Sequence, residues 1–162
     1  MHRILFATLA LLACAGCGYI PFSSGLLEGT PTPTPSDWSD VANESVIELE
    51  TNPADPYSVK LWIVGTGANL YVHAGDNRAQ WVEHMDQDPR VRLLIGQALY
   101  ELSGSRVTSP DEFKSFADQY EIKYGRRPGN ENVSEAFLYR LEARTPRWVG
   151  IRTYASSSSH LL

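Results

Sequence analysis

Between residues 73 and 81 the chain reads HAGDNRAQW. A histidine, an asparagine and an arginine flank a glycine, just ahead of a segment with helical apolar spacing. Gly75 allows a close backbone turn. Unpaired N–H groups at a helix start favour an anion, and Arg78 has the planar fork that grips a phosphate at two points. An ordinary strand-to-helix turn competes with this reading. In that case Asp76 or Asn77 caps the helix, and His73 is a structural histidine at a strand end.

Other chemistries find no support. There is no Ser-His-Asp arrangement, no H-E-x-x-H and no glycine-rich phosphate loop. His84 falls on an exposed helix face and His160 in a tail. Net charge is −5 over 162 residues, with 43% hydrophobic and 20% charged residues. No strongly basic tract exists, which excludes nucleic acid as a partner. Arginines gather in the last third, including Arg126, Arg127, Arg140 and Arg144. They read as a solvated strand face, with an anion-facing patch as the alternative.

The two cysteines lie near the start. MHR is cationic and ILFATLALLA is an apolar run of 10 residues. A membrane span needs about 20, so the run reads as a signal-peptide core. LLACAGC follows, with small residues before each cysteine, as in a bacterial lipobox. Cys14 has Leu11 and Ala13 at the preferred positions; Cys17 is the second choice. The C-x-x-C spacing lacks the second pair that a zinc site requires. The expectation is a lipid-anchored envelope protein in the cell membrane or outer membrane, its domain outside the cytoplasm.

The organisation follows from composition. Residues 1–17 are the signal and lipidation site. Residues 18–37 are a Thr/Pro-rich tether, since alternating Thr and Pro favours extended chain. Residues 38–154 are the folded domain, and 155–162 a disordered tail. Alternating apolar patterns predict strands over 46–51, 57–64, 69–74, 90–95, 97–107, 134–144 and 146–154. On 57–64, Val59, Leu61 and Ile63 share one face, and Lys60, Trp62 and Val64 the other. Helices are expected over 78–88 and 108–125. The second carries Ser109 as cap, Pro110 at the first position and Gly125 as stop. Hairpin-linked strands that outnumber helices imply a mainly β, antiparallel sheet closed on itself.

This order resembles the split β-barrel of the flavin-binding superfamily. That group includes pyridoxamine-phosphate-oxidase-like proteins and deazaflavin-dependent nitroreductases. The carrying stretches are KLWIVGTGANLYVHAGDNRAQWVEHMDQDPRVRLLIG, SPDEFKSFADQYEIKYG and FLYRLEAR. The resemblance covers residues 46–144 and implies a six- to seven-stranded antiparallel split β-barrel with two helices. It also implies FMN or deazaflavin, hydride transfer to a small acceptor, and a homodimer with the site between subunits. Cofactor contacts would come from Lys60, Trp62, His73, Gly75, Asn77, Arg78 and Trp81. Trp62 would border the flavin ring and Lys60 neutralise its phosphate. The pattern departs from the family before the Leu-Trp strand, where TNPADPYSVK replaces a basic loop, and Asp76 puts negative charge beside the phosphate position. A non-enzymatic ligand- or partner-binding barrel that has lost the cofactor is therefore the alternative.

Overall fold

The computed structural model describes residues 25–144. Seven strands are present: β1 Thr30–Pro31, β2 Val46–Thr51, β3 Tyr57–Thr66, β4 Asn69–His73, β5 Arg90–Ile95, β6 Ala98–Arg106 and β7 Leu138–Ala143. Two α-helices join them: α1 Gln80–Gln87 and α2 Pro110–Tyr124. The sheet runs β1-β6-β5-β2-β3-β4-β7, and a further β6–β7 pairing closes β2–β7 into a six-stranded antiparallel barrel. Closure removes exposed sheet edges. The edge of β6 is divided: Ala98 and Leu99 pair in parallel with β1, while Leu102–Arg106 pair with β7.

Strand β3 is divided along its length. Tyr57–Trp62 pair with β2, and Ile63–Thr66 pair with β4. Its alternation sorts two cores. Ile63 faces inward with Leu49, Leu70, Val72, Leu93 and Leu141, and α1 adds Trp81, Val82 and Met85 to this interior. Val64 and Tyr71 face outward beneath α2, against Phe113, Phe116, Ala117 and Tyr120. Helix α2 starts and stops as its sequence dictates. Ser109 Oγ accepts from the Glu112 amide, Pro110 opens the first turn, and Gly125 stops the helix at φ +71°. That left-handed conformation is cheap only without a Cβ.

The segment expected to be a free tether behaves differently from Gly25 onward. Leu27 is buried, and its amide donates to the carboxylate of buried Glu50 at 2.6 Å. Arg92 forms a two-point pair with the same carboxylate. The Thr30 and Thr32 amides donate to the Gln97 and Leu99 carbonyls at 2.8 and 2.9 Å. Pro31 is tolerated because β1 is a two-residue edge strand. Trp38 then enters the interior, 1% exposed, and meets Tyr100 edge-to-face at 5.1 Å. Residues from 27 to 37, expected to lie in the tether, therefore include chain that packs on the barrel ahead of residue 38. Strand β7 is shorter than expected because Asn132 folds residues 132–136 into a turn, its carbonyl accepting from the Glu135 and Ala136 amides. The strand expected over 146–154, the tail, and Cys14 and Cys17 lie outside the described residues.

Trp38 and the short helical turn Val41–Asn43 close over Gly65. A Cβ on Gly65 would lie 2.5 Å from the Ala42 Cβ and 2.9 Å from the Trp38 carbonyl oxygen. Gly65→Ala is expected to destabilise the fold by about 1–3 kcal/mol, the usual cost of overpacking. Urea unfolding measures it, and an unchanged midpoint would show that the Trp38 segment is not held against the barrel.

Candidate functional site

The loop that leaves β4 turns at Gly75, whose φ is +66°. The Ala79 amide bonds the Asn77 carbonyl, and helix α1 begins with Ala79 as N-cap. No side chain caps α1, so neither Asp76 nor Asn77 fills that role. Arg78 folds back along its own helix. Its guanidinium reaches Asp86 at 3.1 Å and Glu83 at 3.6 Å. Asp86 is fixed in turn by the Tyr139 hydroxyl at 2.7 Å. Trp81 is buried in the interior and meets Tyr139 edge-to-face. The Arg78 charge is thus matched by two carboxylates, and Trp81 serves as packing.

His73 points outward from β4 beneath α2. Its ring lies among Phe113, Phe116 and Tyr120, with centroids 5.4–6.3 Å away. Its Nε2 is buried and has no hydrogen-bond partner among the described residues. Burial lowers its pKa from 6.5 to about 4, against a smaller opposing pull from Asp76. It is a neutral aromatic wedge near pH 7, cut off from the Arg78 side of the loop.

Lys60 and Trp62 lie on a different surface, the outer face of β2, β3 and β5. Only the C-terminal end of helix α2 reaches this face, at Trp62. The register sets Val46 opposite Trp62, and Glu48 opposite both Lys60 and Leu94. Val46, Glu48, Lys60, Leu94 and Gly96 line an open cavity of about 310 Å³. Trp62 is 39% exposed, unusual for a tryptophan on a sheet. One neighbour of its indole is Tyr124, stacked at 4.6 Å and 15°; another is the Arg126 guanidinium, 4.8 Å from the ring. Tyr124 is itself anchored, its hydroxyl accepting from the Ile63 amide at 3.0 Å.

The seven residues expected to share a cofactor therefore separate. Gly75, Asn77 and Arg78 form one exposed loop, His73 and Trp81 are packed in two cores, and Lys60 and Trp62 share the open face. Arg126 and Tyr124 join that last pair; from the sequence Arg126 read only as one of several C-terminal arginines, a solvated face or an anion-facing patch, with no link to Trp62. Its only signal was the KYGRR run that ends α2, where the left-handed Gly125 swings Arg126 back over the sheet. A larger groove, about 520 Å³, lies elsewhere, between α1 and Asn52. It is lined by Asn52, Gln80, Glu83, His84, Gln87 and Asp88, with no aromatic wall for a flat ligand.

No family model and no curated protein matches the sequence. Solved structures do match. A candidate pyridoxamine 5'-phosphate oxidase from Listeria innocua aligns with a TM-score of 0.52 at 13% identity, over 65% of this chain and 88% of that one. A candidate 5-nitroimidazole antibiotic resistance protein from Bacteroides thetaiotaomicron gives 0.54 at 10% identity, over 65% and 77%. A heme-binding protein from Mycobacterium smegmatis gives 0.54 at 15%, over 70% of this chain and 52% of the other. The fold is the split β-barrel of the pyridoxamine-phosphate-oxidase type.

The buried neutral state of His73 has a pH signature. Its folded pKa lies below its unfolded value, so the unfolded chain takes up the proton first. The stability it permits is complete above about pH 6.5 and is lost as pH falls towards 4. The loss is on the order of 2–3 kcal/mol. His73→Phe should remove that component, so the difference in urea midpoint between variant and wild type should shift in the variant's favour between pH 7.5 and pH 4.5. A constant difference would place His73 in solvent.

Proposed function

We propose that this chain is a lipid-anchored envelope protein whose split barrel binds a flat aromatic cofactor of the flavin or deazaflavin class. The observation that carries this reading is the uncovered outer face of β2, β3 and β5. It presents an exposed, pre-stacked tryptophan and the ammonium of Lys60, which has no carboxylate partner among the described residues, on a fold that a candidate oxidase shares. A flavin bound there would supply hydride exchange with a small acceptor, the chain contributing position and charge. Trp62 offers one edge and an indole fixed by Tyr124. Val46 and Leu94 offer apolar surface beside it. A second copy of the chain, covering the same face, would enclose the ligand and make the protein a homodimer.

A second reading keeps the barrel as a ligand- or partner-binding module without catalysis. Two observations favour it: Arg78 is neutralised by Glu83 and Asp86, and Trp81 is packed inside. The expected anion loop therefore has little charge left for a phosphate. Haem is then the competing ligand, as the name of the Mycobacterium smegmatis neighbour suggests.

The absorption spectrum of the purified full chain separates these readings. Flavin bands, as isolated or after adding FMN, support the first; a Soret shift with haemin and no FMN binding supports the second. The anchor is tested independently. Wild type should incorporate labelled palmitate, and the double variant Cys14→Ala/Cys17→Ala should not. Equal labelling in both would remove the lipoprotein assignment.

A further inference from the structure

Among the described residues, the cations are almost all spoken for. Arg78, Arg90, Arg92, Arg127, Arg140 and Arg144 each lie within 4 Å of a carboxylate, as does Lys114. Arg106 donates to the Ala136 carbonyl at 2.6 Å. Lys123 donates to the carbonyls of Ala42, Glu44 and Ile63 at 2.5–2.9 Å. Among the described residues that leaves two cations with neither a carboxylate nor a carbonyl partner, Lys60 and Arg126. Glu48 stands opposite Lys60 in the register, yet no ion pair within 4 Å joins them. Both flank Trp62, and Arg126 also meets the Tyr120 hydroxyl. Lys60 is two residues away on the same strand face, roughly 7 Å along β3, and the Arg126 guanidinium lies 4.8 Å from the indole.

In a chain with net charge −5, that distribution is selective. An exposed cation on a surface rich in carboxylates usually finds one. Here the carboxylates are drawn to the other arginines, and positive charge is kept beside Trp62, the most exposed large aromatic hydrophobic among the described residues. Arg126 is also held in place rather than trailing in solvent. Gly125 reverses the chain, Tyr124 is bonded to β3 through Ile63, and Trp62 stacks on Tyr124.

We infer that Lys60, Trp62 and Arg126 form a recognition site for a planar aromatic ligand that carries an anionic group. The ring system lies against Trp62 and the apolar surface of Val46 and Leu94. The anion is met by Lys60, Arg126 or both, and the guanidinium suits the planar oxyanion geometry of a carboxylate or the oxygens of a phosphate. A phosphate of a flavin nucleotide and a propionate of haem share this chemistry. The site deepens the cofactor reading above and rests on it, but it moves anion recognition from the loop at Arg78 to the end of α2.

The test is a titration of the full chain with FMN, riboflavin and haemin, for wild type, Lys60→Gln, Arg126→Gln and Arg78→Gln. Riboflavin has the FMN ring without its phosphate. The expected result is tighter binding of FMN or haemin than of riboflavin. Lys60→Gln and Arg126→Gln should each weaken the anionic ligand about tenfold, the scale of one charge-assisted hydrogen bond. Arg78→Gln should change it little. FMN responding to the variants while haemin does not identifies a phosphate ligand; the reverse identifies a carboxylate. If wild type binds an anionic ligand but neither Lys60→Gln nor Arg126→Gln weakens it, the site is wrong and the cofactor reading stands. If wild type binds none of the three, both fall. Unchanged urea midpoints in the variants exclude loss of folding as the cause.

Discussion

Everything on the open side of this barrel depends on how strand β3 changes partners at Ile63. Below that residue β3 bonds β2; above it, β4. A strand that switches neighbours leaves backbone groups without a ladder partner, and an unmet buried peptide group is costly. Helix α2 supplies what the sheet does not. The Tyr124 hydroxyl accepts from the Ile63 amide and lies 2.8 and 2.9 Å from the carbonyls of Ile63 and Ser45. The Lys123 ammonium reaches the Ile63 carbonyl and two carbonyls of residues 42–44. Desolvation lowers the Lys123 pKa, consistent with an ammonium held against backbone rather than in water. The last turn of α2 is therefore stitched to the point where the barrel divides.

From that junction the open face follows by geometry. A helix whose end is pinned at Ile63 covers the β3–β4–β7 side, where Val64, Tyr71 and Leu138 meet Phe113 and Phe116. It cannot also cover β2 and β5. The aromatic ring that stitches the junction continues outward as a platform, so Trp62 gains a stacked neighbour without being buried. Elsewhere charge is settled locally. Glu112 takes the Arg140 guanidinium at 2.6 Å and the Tyr71 hydroxyl at 3.1 Å. With burial, that carboxylate pushes the Tyr71 pKa up to about 12. Such closed accounts on the covered side leave the uncovered side electrostatically distinct.

The sequence was a good guide wherever period and punctuation agree. Strands 46–51 and 90–95 and helix α2 appear within a residue or so of their expected bounds, because strict alternation or a Ser109-Pro110 start and Gly125 stop admit little choice. Strand β1 was illegible. Thr-Pro repeats carry no β signal, and this one is ordered by partners far along the chain, Glu50, Gln97 and Leu99. The loop at 73–81 was legible as a turn but not as chemistry. Whether Arg78 faces a ligand depends on Asp86, eight residues on, and on Tyr139, which fixes that carboxylate. Arg126 was legible as a member of an arginine-rich stretch, but its partner was not, for the same reason. Its position over Trp62 joins residues more than sixty apart, and nothing local marks it.

The docked N-terminal strap has a mechanical consequence for the proposed anchoring. A leash of twenty residues, 18–37, could extend about 70 Å, enough for the barrel to roam far above a bilayer. With Gly25 onward fastened to the barrel through Glu50 and β6, residues 25–37 add nothing to that reach. Under the proposed anchoring, the barrel is held closer to the membrane surface, and tumbles less freely, than a fully extended leash would allow.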